Sequence, residues 1–242
     1  MSTPLRREYL AAMGLESWVL RLPVAAVAPA SAAAVTATPA LPAPRAAEVV
    51  SSAGRESGCD WAQLRERVAT CTRCGLAATR TQTVFGVGNH AAEWLVVGEA
   101  PGAEEDLRGE PFVGRAGQLL NAMLRAIGLT REQVYIANML KCRPPQNRDP
   151  LAGEVAECAP YLERQVALLK PKIVLVVGRI AAQNLLQTTV PLGRLRQQVH
   201  TYGAARVPMV VTYHPAYLLR TPGDKRKAWD DLKFAREVSA RG

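Results

Sequence analysis

Apolar residues fall into four short runs, and the segments between them have a helical period. The runs predict buried strands over residues 94–97, 134–139, 173–177 and 207–212. Apolar residues three and four apart predict helices over residues 61–69, 116–127, 153–169, 180–186 and 225–238. Strands that alternate with helices favour a parallel sheet covered on both faces. The pattern therefore predicts an α/β protein, and the ligands of such sheets bind beyond the carboxyl ends of the strands.

The first 58 residues differ in character from the rest. Residues 1–22 form an amphipathic stretch, and residues 23–58 are rich in alanine and proline, which predicts a disordered linker. We expect a folded domain over residues 59–242. The chain has no run of about 18 apolar residues free of proline and charge, so we expect no membrane span. Charged residues interrupt the N-terminus, which argues against a secretory signal, and we expect a cytoplasmic protein.

Charge is concentrated on the folded part. The 242 residues carry a net charge of +9, and residues 1–58, with five arginines and four glutamates, supply only +1 of it. A basic surplus of this size favours a polyanion as partner, either nucleic acid or an anionic membrane, or is simply a soluble basic surface. The 48% share of apolar residues fits a globular protein, and the 21% share of charged residues argues against wholesale disorder.

Acidic residues follow the first predicted strand. The segment from Gly98 to Asp106 reads GEAPGAEED, and its two glycines and proline predict a tight loop that lets a ligand approach the backbone. Glu99 stands at the end of the strand, where we expect a functional carboxylate that positions water. Glu104 and Asp106 fit better the acidic first turn of a helix, where they complement its dipole.

An aromatic ring and an amide stand in two other loops. Phe112 is one of only three phenylalanines and lies in a Gly/Pro loop, where its ring can stack on a base or anchor the loop on the core. Asn138 ends the second strand. Its amide presents a donor beside an acceptor, so it can distinguish uracil from cytosine, which present opposite edges, or it can satisfy backbone at the strand end.

The last strand is followed by the segment HPAYLLR. His214 is one of three histidines and can stabilise negative charge on a leaving group, or cap the core. Tyr217, Leu218 and Arg220 either form a wedge that enters a DNA groove or begin an apolar helix.

Four cysteines have a spacing that suits a metal site. Cys71 and Cys74 form a C-x2-C pair, and Cys142 and Cys158 follow far downstream. Cys59 is not part of this set of four. Four thiolates suit zinc or an iron–sulfur cluster, and the spacing does not choose between them. Four unrelated buried cysteines are the alternative. A four-thiolate site would be structural, because no coordination position is left open.

Together these motifs resemble the family 4 uracil-DNA glycosylases, which carry an iron–sulfur cluster. The resemblance covers about residues 59–240 and rests on CTRC, GEAPGAEED, EPFVGRAGQLL, NMLKCRPPQNRDP and HPAYLLR, in the family's order. It implies a three-layer α/β/α sandwich around a four-stranded, mainly parallel sheet. It also implies a [4Fe–4S] cluster bound by Cys71, Cys74, Cys142 and Cys158.

The resemblance further implies a uracil pocket. Glu99 matches a glutamate needed for activity, and His214 matches a histidine near uracil O2. The residues that the resemblance places around the base are Gly98, Ala100, Glu105, Phe112 and Asn138, with Phe112 stacking on uracil and Asn138 reading its edge. Tyr217, Leu218 and Arg220 are expected to bind the DNA.

The expected activity is hydrolysis of the N-glycosidic bond of deoxyuridine in single- or double-stranded DNA, which starts base excision repair. A related branch carries an insert with KRRIH after the second strand and attaches covalently to DNA, whereas this chain has KCRPPQNRDP, so we expect ordinary turnover. No lysine is placed for a Schiff base, so no strand-cleaving lyase activity is expected. The best-known glycosylases of the superfamily have an aspartate where this chain has Ala100, which leaves open the group that positions the water.

The N-terminal stretch suggests a second role. Residues 5–21 place aromatic and aliphatic side chains at helical spacing, as a tethered partner-binding peptide does. The stretch resembles the N-terminal peptide of the psi subunit of the bacterial clamp loader, which binds the chi subunit. The alternative function is therefore a replication-associated interaction protein with a weak or inactive glycosylase domain. In either case we expect a monomer.

Overall fold

The computed structural model describes residue 56 and residues 58–241. The predicted partner-binding peptide (residues 1–22) and nearly all of the predicted linker lie outside the described residues. None of the helices in the described part is long and apolar enough to cross a membrane.

One mixed sheet forms the centre of the domain. Its strands are β1 (Val87–Gly88), β2 (Trp94–Gly98), β3 (Tyr135–Asn138), β4 (Ile173–Val177), β5 (His200–Tyr202) and β6 (Val207–Thr212). Their order is β1-β3-β2-β4-β6-β5, and the four central strands are parallel to one another. The four predicted strands are these four, and all are buried throughout or nearly so because helices cover both faces.

The described sheet has six strands rather than the four expected. The additional strands, β1 and β5, pair antiparallel at the two edges of the sheet. They contain only two and three residues and are largely solvent-accessible, so they carry no run of apolar residues. A strand this short gives no periodic signal in the sequence.

Eight α-helices are assigned within the described residues. They are α1 (Trp61–Ala69), α2 (Ala103–Arg108), α3 (Arg115–Ala126), α4 (Ala152–Leu169), α5 (Arg179–Leu185), α6 (Leu192–Leu195), α7 (Pro215–Arg220) and α8 (Lys225–Arg241). The five longest of these match the predicted helices to within three residues. The apolar period does not reveal α2, α6 or α7, since four to six residues are too few for it, and α2 was indicated only by its acidic residues. As expected for Glu104 and Asp106, both lie in the first turn of α2.

Helices cover both faces of the sheet, which confirms the three-layer sandwich. On one face α3, α7 and α8 bury Leu120, Leu218 and Leu232 against strand residues such as Val96. On the other, α4, α5 and α6 bury Leu162, Ala181 and Leu195 against the alternate residues of the same strands. Because side chains alternate along a strand, each strand contributes to both cores.

A third cluster of buried residues surrounds the cysteines. Leu64 and Val68 of α1 pack with Leu140, Cys142 and Cys158, beyond the carboxyl end of β3. This cluster fastens the segment before the sheet to the loop after β3 and to α4.

The strand register brings the predicted functional loops to one end of the sheet. Gly98, the last residue of β2, lies opposite Asn138, the last residue of β3. Val177 ends β4 opposite Thr212, which ends β6 two residues before His214. The residues singled out after these strands therefore meet at the carboxyl edge of the sheet, where ligands are expected.

Candidate active site

A cleft of about 410 Å³ opens at the carboxyl edge of the sheet. This volume lies within the usual range for small-molecule sites. Of the predicted pocket and DNA-contact residues, the cleft is lined by Glu99, Ala100, Glu105, Phe112, Asn138, His214 and Arg220. The structure thus brings together residues that are more than 100 positions apart in the sequence.

Gly98 does not line the cleft itself but packs against two residues that do, Phe112 and Asn138. A Cβ atom at Gly98 would lie 2.4 Å from Asn138 Oδ1 and 2.7 Å from Cζ of Phe112, so only glycine fits here. Asn138 is buried, and its Oδ1 accepts no hydrogen bond from any described residue. A buried acceptor without a donor costs free energy, about 1–3 kcal/mol. The amide is therefore arranged for a donor that arrives with a ligand.

Phe112 is held in a strained backbone conformation. Its φ of 55° lies in the left-handed region, which bulky residues rarely adopt. A Cβ on Gly117 would come within 1.7 Å of the Phe112 carbonyl oxygen, so the loop can fold back on α3 only over a glycine. The Arg131 guanidinium donates to the carbonyl oxygens of Pro111, at 2.6 Å, and Phe112, at 3.4 Å. The surrounding structure thus fixes the ring at the wall of the cleft.

Glu105 lines the cleft, but both its carboxylate oxygens already accept backbone hydrogen bonds. Oε2 accepts from the N–H of Gly102 at 3.1 Å, and Oε1 accepts from the N–H of Val113 at 3.2 Å. The side chain therefore ties the loop after β2 to the loop that carries Phe112.

His214 is the N-cap of α7 and faces Phe112. Its Nδ1 accepts the N–H of Ala216 at 3.1 Å, and the Phe112 and His214 ring centroids are 5.6 Å apart. Burial, with the Arg220 cation, lowers the pKa of His214 to about 4, against a smaller opposing effect of Glu105. The ring is therefore neutral at physiological pH, and because Nδ1 is an acceptor its proton resides on Nε2.

Glu99 is a carboxylate with a raised pKa. Burial, reinforced by the negative charge of Asp149, raises the pKa of Glu99 to about 7, although the Arg179 cation opposes the shift. Asp149 and Arg179 themselves form a long ion pair, with 3.7 Å between Oδ2 and Nη2. A carboxyl group that titrates near neutrality inside a cleft is suited to accept a proton.

Of the three predicted DNA-binding residues, only Arg220 lines the cleft. Leu218 is on the buried face of α7 and packs in the core. The Tyr217 hydroxyl donates to Asp224 Oδ2 at 2.6 Å. The Tyr217 ring also stacks on Tyr213. In this structure these two side chains therefore anchor α7 to the domain.

Sequence reasoning did not single out the loop after β3 as part of the cleft wall. Asn147, Arg148 and Asp149 line the cleft, and Asn147 has a φ of 54°. The Arg148 guanidinium makes a bidentate contact with Glu154, which fixes the loop to the start of α4. The available signal was the sequence NRDP, which belongs to a motif that carries the family resemblance.

The four predicted ligand cysteines line a separate small cavity. Cys71, Cys74, Cys142 and Cys158 all border it, together with Lys141 and Tyr161. Cys142 Sγ accepts from Arg80 Nη1 at 3.1 Å, and Cys158 Sγ accepts from the N–H of Lys141 at 3.3 Å. Burial raises the pKa of the Cys158 thiol to about 12, an effect that the Lys141 cation opposes.

The cysteine cavity is not shaped for a single ion. Within residue 56 and residues 58–241, no three His, Cys, Asp or Glu side chains converge closely enough to hold one metal ion. A single zinc ion needs four sulfurs about 2.3 Å from one point. The donor set itself, four thiols at one cavity, is the kind that binds zinc or an iron–sulfur cluster.

Comparisons with known proteins agree with this geometry. The family model of the uracil DNA glycosylase superfamily matches residues 85–233. A type-4 uracil-DNA glycosylase from Archaeoglobus fulgidus is 45% identical over 177 residues, which cover 71% of this chain and 89% of the relative. Type-4 uracil-DNA glycosylases from Sulfurisphaera tokodaii and Thermotoga maritima are each 40% identical, over 73% and 72% of this chain and 84% and 91% of the relatives. The chain therefore belongs to the uracil-DNA glycosylase superfamily and, within it, to the type-4 family.

Proposed function

We propose that this protein is a monofunctional uracil-DNA glycosylase, which hydrolyses the N-glycosidic bond of deoxyuridine in DNA. The observation that carries the proposal is the unpartnered acceptor of buried Asn138 at the closed end of the cleft, in a chain whose relatives bear this name. The deoxyuridine must leave the base stack to reach this pocket, which costs a few kcal/mol.

Asn138 supplies the recognition of the base. Uracil presents the N3–H donor beside the O4 acceptor. N3–H therefore donates to Oδ1 of Asn138, and Nδ2 of Asn138 donates to O4. Cytosine presents an acceptor and an amine at the same positions, and meets like groups on both. Phe112 supplies a flat surface for stacking, and the missing side chain at Gly98 lets Phe112 and Asn138 approach each other.

His214 acts on the leaving group. As the C1′–N1 bond breaks, the electron pair moves onto uracil, and negative charge develops on its oxygens. The Nε2–H of the neutral His214 ring is the group that donates a hydrogen bond to that charge. The sugar carbon becomes electron-poor at the same time, and water attacks C1′.

Glu99 is the group that we assign to the water. Its carboxylate orients the attacking molecule and accepts its proton, which takes the place of the aspartate absent at position 100. The raised pKa of Glu99 makes this carboxylate a stronger base than an ordinary glutamate.

This assignment predicts an acidic limb in the pH profile. Because the pKa of Glu99 is raised to about 7, the active carboxylate form is lost as the pH falls below that value. We expect the single-turnover rate to fall about tenfold per pH unit below pH 7 and to stay level above it. A Glu99→Gln variant should show a low rate with no such limb, measured on the same oligonucleotide. A wild-type limb that survives in the variant would assign the titration to another group.

The four cysteines are the ligands that we propose for a [4Fe–4S] cluster, as the resemblance implies. Support comes from their common cavity and from the positive charges of Arg80 and Lys141, which act on Cys142 and Cys158 respectively. When bound, such a cluster supplies cross-links between distant segments and one-electron redox capacity. The hydrolysis described above needs neither.

Chemical analysis of the purified protein tests the cluster. We expect about four iron and four sulfide ions per chain, with a brown colour. A Cys142→Ala variant should lose the iron and unfold at a lower temperature, because the cross-link between the loop after β3 and residues 71–74 is broken. Cys59→Ala, which removes the cysteine outside this cavity, should keep the full iron content. Stoichiometric zinc without iron would overturn the assignment.

DNA is the macromolecular partner of this activity. Arg220 at the cleft and the positive net charge of the chain suit contacts with phosphate. We propose that Tyr217 and Leu218 contribute through α7, which reaches the DNA when the uracil is extruded.

Residues 1–22 are proposed to bind a subunit of the replication machinery, on the sequence resemblance alone. Co-purification of a clamp loader with the full chain, and not with a chain that lacks residues 1–22, would support this. Sedimentation of the free protein tests the proposed monomer.

The main experiment measures base excision directly. The full chain is incubated with a labelled oligonucleotide that carries one uracil, single-stranded or opposite guanine, with and without alkali. We expect strand breaks only after alkali, because a monofunctional glycosylase leaves an intact abasic site. Breaks without alkali would show lyase activity. If protein with a full complement of iron excised no uracil, the enzyme proposal would be wrong. That result would favour the alternative function as a replication-associated interaction protein.

A further inference from the structure

Lys141 takes no part in the base recognition or the hydrolysis described above. It is 1% exposed, and its ammonium group lies in the interior of the domain. Nζ donates to the carbonyl oxygen of Asn138 at 2.8 Å and to Oε1 of Gln165 at 2.7 Å. Among the described residues, no carboxylate forms an ion pair with it. A buried ammonium without a carboxylate is costly. Thiolates at Cys158 and Cys142 reduce that cost, and the hydrogen bonds to Asn138 and Gln165 fix where the ammonium lies.

The main chain of Lys141 contacts the cysteine cavity. Its backbone N–H donates to Cys158 Sγ at 3.3 Å, and the next residue in the chain is Cys142. A single residue thus touches a proposed cluster ligand with its backbone and the uracil-reading residue with its side chain.

Gln165 holds the other side of the ammonium group. It is fully buried on α4, and its Nε2 donates to the carbonyl oxygen of Phe85 at 2.9 Å and contacts the hydroxyl of Tyr135 at 3.3 Å. These bonds orient Oε1 of Gln165 toward Lys141. The ammonium group is therefore fixed between α4 and the end of β3.

The carbonyl that Lys141 binds lies where the sheet ends. Asn138 is the last residue of β3, and the next two backbone N–H groups donate to Gly98 and Glu99 across the loop. A charge-assisted bond to its carbonyl fixes the peptide plane at this residue. The peptide plane sets the direction of the Cα–Cβ bond, and hence the place at which the amide meets the base.

We propose that Lys141 is a positioning residue for uracil recognition, which acts through Asn138 and anchors it to the cysteine site. The inference rests on the proposed function, since it gives Lys141 a task only if Asn138 reads the base. Misplacement of a recognition group by about 1 Å can cost a hundredfold in rate.

The test is a double-mutant cycle on the full chain loaded with its iron. Lys141→Met keeps the length of the side chain and removes the donor. We expect free uracil to inhibit this variant about tenfold more weakly, and kcat/KM on uracil DNA to fall about 10–100-fold. The iron content should stay unchanged, because the bond to Cys158 comes from the backbone. In an Asn138→Ala background the same substitution should change both quantities less than about twofold, since the group that it positions is absent.

Lys172→Met is the matched control. Lys172 lies just before β4, is half-exposed, and pairs with Glu93 away from the cleft. We expect wild-type inhibition by uracil and wild-type kcat/KM from this variant.

The outcomes separate the inference from the proposed function. The positioning role would be overturned if free uracil inhibited Lys141→Met as strongly as wild type. It would also be overturned if Lys141→Met lowered kcat/KM as much in the Asn138→Ala background as in the wild type. A loss of iron that accounts for the loss of activity would assign Lys141 to the cluster instead. If Lys141→Met fails to fold, Gln165→Met takes its place in the same cycle and should also couple to Asn138. An Asn138→Ala variant with unchanged excision would instead defeat the proposed reading of the base.

Discussion

Replacement of His214 by alanine is expected to lower the single-turnover rate of uracil excision by about 10²–10³-fold, the usual cost of one lost donor to a developing anion. The ring is neutral because burial and Arg220 lower its pKa to about 4. Its Nδ1 is occupied by the N–H of Ala216, so the only proton that it can offer is on Nε2. That donor interacts most strongly when charge has moved onto uracil, so the loss should appear in the rate and much less in KM.

His200→Ala is the control for the histidine substitution. His200 lies on edge strand β5 and does not line the cleft. Nε2 of its ring is 2.8 Å from the carbonyl oxygen of Leu195. We expect the excision rate of the His200→Ala variant to stay within a factor of about two of wild type, because substitutions near the surface and outside the site have small effects. A His214→Ala protein that excises uracil at the wild-type rate would show that other donors carry the charge.

The neutral state of His214 has a second consequence for the pH profile. Since its pKa is near 4, it stays unprotonated over the range in which the protein is assayed. The limb near pH 7 therefore reports Glu99 and should persist in His214→Ala at a lower overall rate. Loss of the limb in this variant would assign the titration to the histidine.

The sheet and the larger helices could be predicted from the sequence because each has a clear period. Residues 173–177 form an unbroken apolar run, and the buried strand β4 occupies those same positions. The edge strands β1 and β5 are set by backbone pairing with neighbours rather than by their own side chains, so they leave no pattern to find.

The site could be predicted in its residues but not in its supports. Phe112 was recognisable as an aromatic ring in a Gly/Pro loop, and Asn138 as an amide at the end of a strand. The left-handed backbone at Phe112, its clamp by Arg131 and the glycine at position 117 depend on contacts between distant segments. From the sequence, Lys141 is only a cation that flanks the cysteines, and its bond to the Asn138 carbonyl appears only once the fold has buried it.

The roles of Leu218 and Tyr217 cannot be decided from their motif. The sequence HPAYLLR presents an apolar pair beside an arginine, which is equally typical of a groove wedge and of a helix that packs on a core. The structure gives Leu218 the second environment, and Tyr217 a bond to Asp224. Arg220 alone remains at the cleft, since it lies at the end of α7.

Replacement of Asn138 by aspartate is expected to lower kcat/KM for uracil by about 10³-fold or more, because a site built on paired donors and acceptors tolerates a mismatch poorly. The carboxylate has no donor for O4, and it places buried negative charge beside that oxygen. Burial also favours the protonated acid. In that form the hydroxyl can donate to N3 of cytosine while the carbonyl accepts from its amine, or donate to O4 of uracil while the carbonyl accepts from N3–H, so the acid no longer rejects cytosine. The ratio of uracil to cytosine excision should therefore fall even where both rates are low.

Two comparisons make the Asn138→Asp result decisive. Asn138→Ala removes donor and acceptor together, so it should lose rate on uracil without gaining any relative preference for cytosine. Asn184→Asp makes the same chemical change on α5, where Nδ2 of Asn184 donates to the carbonyl oxygen of Ile180 at 2.8 Å, and should leave the uracil-to-cytosine ratio unchanged. The ratio is measured on paired oligonucleotides that differ only in the target base. An Asn138→Asp protein with the wild-type ratio would mean that the base is read by backbone groups of the loops around it, and that the unpartnered oxygen of Asn138 serves another ligand.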